Sequence, residues 1–162
     1  MRERTGGMAR LPLVAALVAV ACTVPATAYA ASAPASSSAG DEIDTVVALV
    51  NQEREEAGCD PLGVDPNLTE AAEDHSQDQA DMDEMTHTGS DGSKVGERAT
   101  RAGYDWSRVG ENVASGTTSP ERVMTLWMNS EAHRDNILNC SFEDIGVGRV
   151  GGYWTQDFGT PR

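Results

Sequence analysis

Three histidines, His75, His87 and His133, supply all the imidazole chemistry of this chain. His75 stands in the apolar stripe of a helical pattern, where a hydrogen-bonded core histidine is the ordinary outcome. His87 and His133 lie instead among turn-forming and polar residues, His87-Thr88-Gly89 and Glu131-Ala132-His133-Arg134, from which a side chain reaches a cleft without burial. Glu111 follows Gly110 in a short segment that presents it together with Asn112. Two neutral imidazoles and a carboxylate make a borderline-soft donor set that suits Zn²⁺ and leaves a position open for water or ligand. The same three residues read equally as a hydrogen-bonded polar cluster that fixes loops. Their spacing matches no local metal motif such as HExxH, and the chain has neither a GxSxG nucleophile elbow nor a P-loop.

The cysteines depend on where the protein goes. Arg2, Arg4 and Arg10 precede the apolar run Leu11 to Val24, and Ala28-Tyr29-Ala30 offers the small residues of a cleavage site, so residues 1–30 read as a secretory signal peptide. Pro12, Thr23 and Pro25 break a run already shorter than the roughly 20 apolar residues of a membrane span. No later segment is apolar enough to span, so a secreted, extracellular chain beginning at Ala31 is expected. Cys22 as a lipid attachment site is disfavoured by Ala19 three residues earlier. Cys59 and Cys140 then remain as one pair in an oxidising compartment, for which a disulfide is the natural reading. Two buried free thiols are the alternative; a zinc site on the pair lacks any CxxC spacing.

With 162 residues, 39% apolar and 23% charged, the chain has material for one globular domain. Its 26 acids against 12 bases give a net charge of −14, which opposes binding to a phosphate backbone and excludes nucleic acid as a partner. Loss of residues 1–30 leaves nine bases and 25 acids, a net charge of −16. Residues 31–40, an Ala/Ser/Pro-rich stretch, read as a flexible linker, and the domain as residues 41–162, acting as a monomer.

Ile43, Val46, Val47 and Val50 recur at helical spacing and predict a helix over Asp41–Ala57, stopped by Gly58. Asp65-Pro66 supplies the cap and first turn of a second helix reaching about Glu84, which buries Leu68, Ala71, Ala72, His75 and, near its end, Gln79 and Met82. Its outer face carries Asp74, Asp78 and Asp81, either a solvated face or a cation site. Residues 86–92 read as a loop presenting His87, and Ser93 as the cap of a short helix ending at Gly103. Val109–Ala114 reads as a strand or extended segment holding Glu111. Ser119-Pro120-Glu121 starts a helix whose Val123, Met124, Leu126 and Trp127 face inward, and Ser130-Glu131 starts a shorter one carrying His133. Ile145–Val150 and Tyr153–Phe158 around Gly151-Gly152 form the strongest strand signal, a two-residue hairpin. Helices first and a hairpin last indicate an α+β domain with a small, mainly antiparallel sheet.

A set of ordered motifs goes further. Val50-Asn51-Gln52-Glu53-Arg54, Ala72-Glu73-Asp74-His75-Ser76, His87-Thr88, Gly110-Glu111-Asn112-Val113-Ala114 and Trp127-Met128-Asn129-Ser130 come first. His133-Arg134-Asp135-Asn136-Ile137-Leu138, Ile145-Gly146-Val147-Gly148 and Tyr153-Trp154-Thr155-Gln156 follow in the same order. Over residues 44–159 the chain resembles the CAP superfamily of cysteine-rich secretory, antigen 5 and pathogenesis-related proteins, and most nearly its bacterial SCP-domain branch.

The resemblance implies a compact α-β-α sandwich and a cleft of two histidines and two acidic residues that in some members binds a divalent cation such as zinc. His87 matches the first cleft histidine and Glu111 the first glutamate. Tyr153 occupies the place of the eukaryotic second histidine, whereas bacterial members carry theirs where this chain has His133. Glu131 is offset by one residue from the family's second glutamate. Cys59 and Cys140 resemble a pair used in actinobacterial members. The expected function is that of a non-enzymatic extracellular or cell-envelope binding module whose ligand is a lipid, a sterol or a cell-wall component. The alternative is a metal-dependent hydrolase, with Glu111 as general base on a water held by His87 and His133.

Overall fold

The computed structural model describes residues 39–162. The signal peptide, Cys22 and most of the linker read from the sequence lie outside the described residues. The elements are helices α1 (Ala39–Ala57), α2 (Pro66–Met82), α3 (Val95–Arg101), α4 (Pro120–Met128) and α5 (Glu131–Ile137), with strands β1 (Gly63–Val64), β2 (Trp106–Ala114), β3 (Asp144–Val150) and β4 (Tyr153–Pro161). The sheet order is β1-β3-β4-β2, with β1 parallel to β3 and the other pairs antiparallel. This is the expected α+β sandwich with a mainly antiparallel sheet.

Strand alternation divides the work between the two faces. Ile145 and Val147 of β3 and Trp154 and Phe158 of β4 bury against Val46 and Val50 of α1, Val123 and Trp127 of α4 and Ile137 of α5, which form the main core. The two core tryptophans satisfy their indole N–H groups on backbone: Trp127 on the Val113 carbonyl at 3.2 Å, Trp154 on that of Thr117 at 2.7 Å. The opposite face is thin enough for helix α2 to lie directly on strand backbone. A Cβ at Gly146 would come within 2.1 Å of the Leu68 carbonyl carbon, and one at Gly148 within 2.3 Å of that of Ala72. The Ile-Gly-Val-Gly alternation is therefore a packing code: apolar side chains toward α1, no side chain toward α2.

Helix ends follow the sequence with small shifts. Asp65 caps α2 by accepting from the Asn67 and Leu68 backbone N–H groups, with Pro66 in the first turn. The residue before α3 is Lys94 rather than Ser93, its backbone N–H held by Glu97 three residues on. Helix α1 begins at Ala39, inside the stretch read as linker. Leu126 is 45% exposed, because on the short α4 the positions that meet the core are Val123, Met124 and Trp127. Strand β2 starts at Trp106, three residues earlier than its apolar pattern, because Trp106 and Arg108 pair with β4 through their backbone across a bulge at the exposed Ser107, which no apolar period marks.

Cys59 and Cys140 form a disulfide that ties the turn after α1 to the turn after α5. Arg54, wholly buried, reinforces the same junction: its guanidinium donates to the carbonyls of Asp60, Ile137, Asn139 and Phe142 at 2.9–3.0 Å.

Candidate functional site

Strand β2 lies at one edge of the sheet and turns Glu111 toward the α2 side, where α3 and residues 83–94 gather around it. Glu111 is 7% exposed yet ringed by cationic or hydrogen-bonding groups. His87 Nδ1 lies 2.7 Å from its Oε1, Arg98 Nη2 donates to its Oε2, and His75 Nε2 stands 3.8 Å from Oε2. Burial alone would push the Glu111 carboxyl up, but the His87 hydrogen bond and the positive field of Arg98 outweigh it and hold its pKa below the usual carboxylate range.

The register of the sheet adds a second carboxyl. Glu111 faces Asp157 of β4 across the antiparallel pair, and Asp157 is fully buried. Burial and the neighbouring Glu111 anion push the Asp157 pKa well above the ordinary value, and both of its carboxyl oxygens are buried without a hydrogen-bond partner among the described residues. The two acids are thus shifted in opposite directions, Glu111 down and Asp157 up, because Arg98 and His87 gather on Glu111.

Each residue singled out in the sequence has a definite place. His87 projects from the loop with its side chain 55% exposed, one ring nitrogen on Glu111. His133 belongs to α5, which packs beside β2, and the side-chain amide of Asn112 donates to its backbone carbonyl. Burial, and secondarily the field of His87, lower the His133 pKa and favour its neutral form. No hydrogen bond or ion pair joins it to Glu111. His75 is the buried, hydrogen-bonded residue expected from its apolar stripe, with Nε2 on the Thr86 carbonyl at 2.8 Å and its pKa lowered by burial. Glu131 is exposed in the first turn of α5. The Tyr153 hydroxyl turns to Asp83 at 2.7 Å. Among the described residues, no group of three or more His, Cys, Asp or Glu is arranged to hold a metal ion.

Arg98 and Asp157 are the site residues that sequence reasoning missed. Arg98 sits on a seven-residue helix with no distinguishing motif. Asp157 carried one available signal: an acid interrupting the apolar run of a central strand, where burial demands a partner.

Comparison with known proteins gives this arrangement a context. The model of the cysteine-rich secretory protein (CAP) family matches residues 47–158. The uncharacterized protein YkwD of Bacillus subtilis is 41% identical over 144 residues, covering 85% of this chain. A second B. subtilis protein, the uncharacterized membrane protein YlbC, is 29% identical over 113 residues, covering 70% of this chain. The chain spans 55% and 33% of the lengths of these two relatives. An extracellular, SCP-domain-containing protein of Bacillus anthracis superposes with a TM-score of 0.72 at 28% identity, over 74% of this chain and 40% of that one. An outer surface protein of Borrelia burgdorferi shares the fold, with a TM-score of 0.72 at 20% identity over 77% of this chain and 96% of its own. With the family model matching residues 47–158 and an SCP-domain protein superposing on the same sandwich, the protein belongs to the cysteine-rich secretory protein (CAP) family and has the fold of its bacterial SCP-domain members.

Proposed function

We propose that the protein is an exported binding module of the cell exterior, whose cleft at His87, Glu111 and His133 takes a divalent cation such as zinc and, through it or beside it, an extracellular ligand. The observation that carries this reading is the His87–Glu111 pair: a buried carboxylate fixes one nitrogen of a half-exposed imidazole, leaving the other available to a ligand. His133, neutral because of its burial, supplies the second nitrogen donor. Both oxygens of Glu111 are already engaged, by His87 and Arg98, so its contribution is to orient and polarise His87 from behind. A metal held there would add a Lewis-acidic centre with open positions. Extracellular and outer-surface proteins among the structural neighbours support a place outside the cell, and among the described residues no helix is long and apolar enough to cross a membrane.

A hydrolase built on Glu111 as general base is less well supported. Its carboxylate is held by an arginine and a histidine and kept below the ordinary pKa, which makes it a weak base. Calorimetry of zinc binding at neutral pH tests the proposal. Saturable binding that weakens in His87→Ala and in His133→Ala, and falls as pH drops through the imidazole range, is expected. Absence of saturable binding, or equal binding after both histidines are removed, leaves only a polar cluster that fixes the loops.

A further inference from the structure

Trp106 is the tryptophan left partly exposed, the other two being fully buried. It packs against the minor core of Leu68, Ala99 and Tyr104. Its edge lies along α3: Nε1 donates to Thr100 Oγ1 at 3.0 Å, and a Cβ at Gly96, one turn earlier, would come within 2.9 Å of Cζ2. Glycine is a poor helix former, yet at Gly96 it is what lets the ring lie against the helix. The indole is therefore pinned in one position with the rest of its surface left to solvent, where it borders a hollow of about 740 Å³. A second hollow of about 250 Å³, lined also by Tyr104, Asp105 and Arg162, meets the same ring.

The rim of the larger hollow carries Lys94, Glu97 and Arg101, all three exposed. Lys94 Nζ donates to Thr88 Oγ1, Arg101 Nη2 donates to Asp91 at 2.8 Å, and Glu97 Oε2 accepts from the Lys94 backbone N–H at 2.9 Å. An ammonium has three donors, a guanidinium five and a carboxylate two oxygens, so each group is anchored by one bond and keeps others for a ligand. Donors and acceptors of both charges thus surround one apolar ring. An acyl chain laid on the indole would desolvate these three groups without giving them partners. A multiply charged anion would meet Glu97 and the field of a mature chain of net charge −16. A pyranose satisfies both parts of the site: the negative face of the indole attracts its polarised C–H bonds, and the rim takes its hydroxyls. In β-1,4-linked sugars of the gluco configuration every polar group is equatorial, which leaves both ring faces clear for stacking.

We propose that Trp106 is the platform of a glycan-binding site, on which one pyranose ring of a β-linked oligosaccharide stacks while its hydroxyls bond to Lys94, Glu97 and Arg101, the smaller hollow taking the next sugar. The site rests on the reading that the protein works outside the cell, and shares no residue with the cleft of His87, Glu111 and His133.

Titration of the full exported chain with cellotetraose and with tetra-N-acetylchitotetraose, in EDTA and read by NMR, tests this. Saturable shifts at the Trp106 indole N–H, Gly96 and Thr100 are expected with at least one of the two, while the Trp127 and Trp154 indoles stay in place. Trp106→Ala should bind about tenfold more weakly, and Trp106→Phe, which keeps a ring for stacking, should recover part of the loss. Lys94→Ala/Arg101→Ala, changed only at exposed positions, should weaken binding about threefold and carries the test if Trp106→Ala fails to fold. The proposal is overturned if neither saccharide gives saturable shifts, if the folded variants bind as the parent does, or if phosphatidylcholine vesicles move the Trp106 resonance and the saccharides do not. EDTA removes any metal, so a failure of zinc binding sinks only the cleft reading, and a failure of saccharide binding sinks only the platform.

Discussion

Arg54→Met tests whether the junction between α1 and the α5–β3 turn is held by a buried cation as well as by the disulfide. The change keeps most of the aliphatic stem and removes donors to four carbonyls. The bonds to Ile137 and Phe142 are buried, whereas those to Asp60 and Asn139 are partly buried, where water can replace the lost donor. Two acceptors stranded without water cost about 1–3 kcal/mol each. Relief from desolvating the guanidinium, which already depresses its pKa, returns part of that. The expected net loss is about 3–5 kcal/mol, a large share of the stability of a small domain. Arg54→Lys should recover less than half, because one ammonium cannot reach acceptors on two separate turns. In urea at neutral pH with the disulfide intact, a denaturant slope of about 1–3 kcal/mol per molar puts the midpoint of Arg54→Met about 2 M lower. A shift below roughly 0.5 M, or full stability in Arg54→Lys, would refute the clamp.

Asp157 and the histidines make stability depend on pH in opposite directions. Asp157 has a raised folded-state pKa, so its contribution is complete below about pH 4, the unfolded value, and declines as pH rises toward the folded value; Asp157→Asn, which carries no charge to bury, should be more stable than the parent at pH 7 by about 1 kcal/mol or more in urea melts. His75 and His133 have lowered values, so their neutral burial costs stability as pH falls below about 6.5, and His75→Gln should flatten the acid limb of the same profile. Trp127→Ala, at a fully buried position, should cost about 3–5 kcal/mol in thermal or urea unfolding while leaving zinc affinity unchanged in the folded fraction; lost affinity in a stable variant would contradict its structural role. Cys59→Ser opens a loop of 81 residues in sequence separation and should lower stability by about 2–5 kcal/mol, and intact mass of the exported parent should rise by two hydrogens on reduction.

Elements with their own local causes were legible in the sequence. Asp65-Pro66 and Ser119-Pro120 start helices because their side chains and fixed φ satisfy the first turn without outside help. Gly151-Gly152 joins β3 to β4 because Gly151 sits at φ +56°, a conformation open to glycine. Strand β1 escaped detection: two exposed residues have no periodicity, and Gly63–Val64 is a strand only because β3 runs beside it. Leu126 escaped for a related reason, since an apolar residue does not declare whether a neighbour covers it.

The candidate site divides in the same way. Residue types and motif order singled out His87, Glu111 and His133 as site candidates, paired Cys59 with Cys140, and gave an α+β sandwich. Tertiary structure alone decided who stands behind Glu111. Arg98 comes from α3, His75 from α2 and Asp157 from β4, between 13 and 46 residues away in the chain. Their meeting depends on strand register and on glycines at Gly146 and Gly148 that let α2 lie on the sheet. The direction of each pKa shift is decided there too: a glutamate and an aspartate of nearly equal intrinsic acidity move oppositely, Glu111 down and Asp157 up, because the burial and field around each are set by packing, which composition and spacing do not encode.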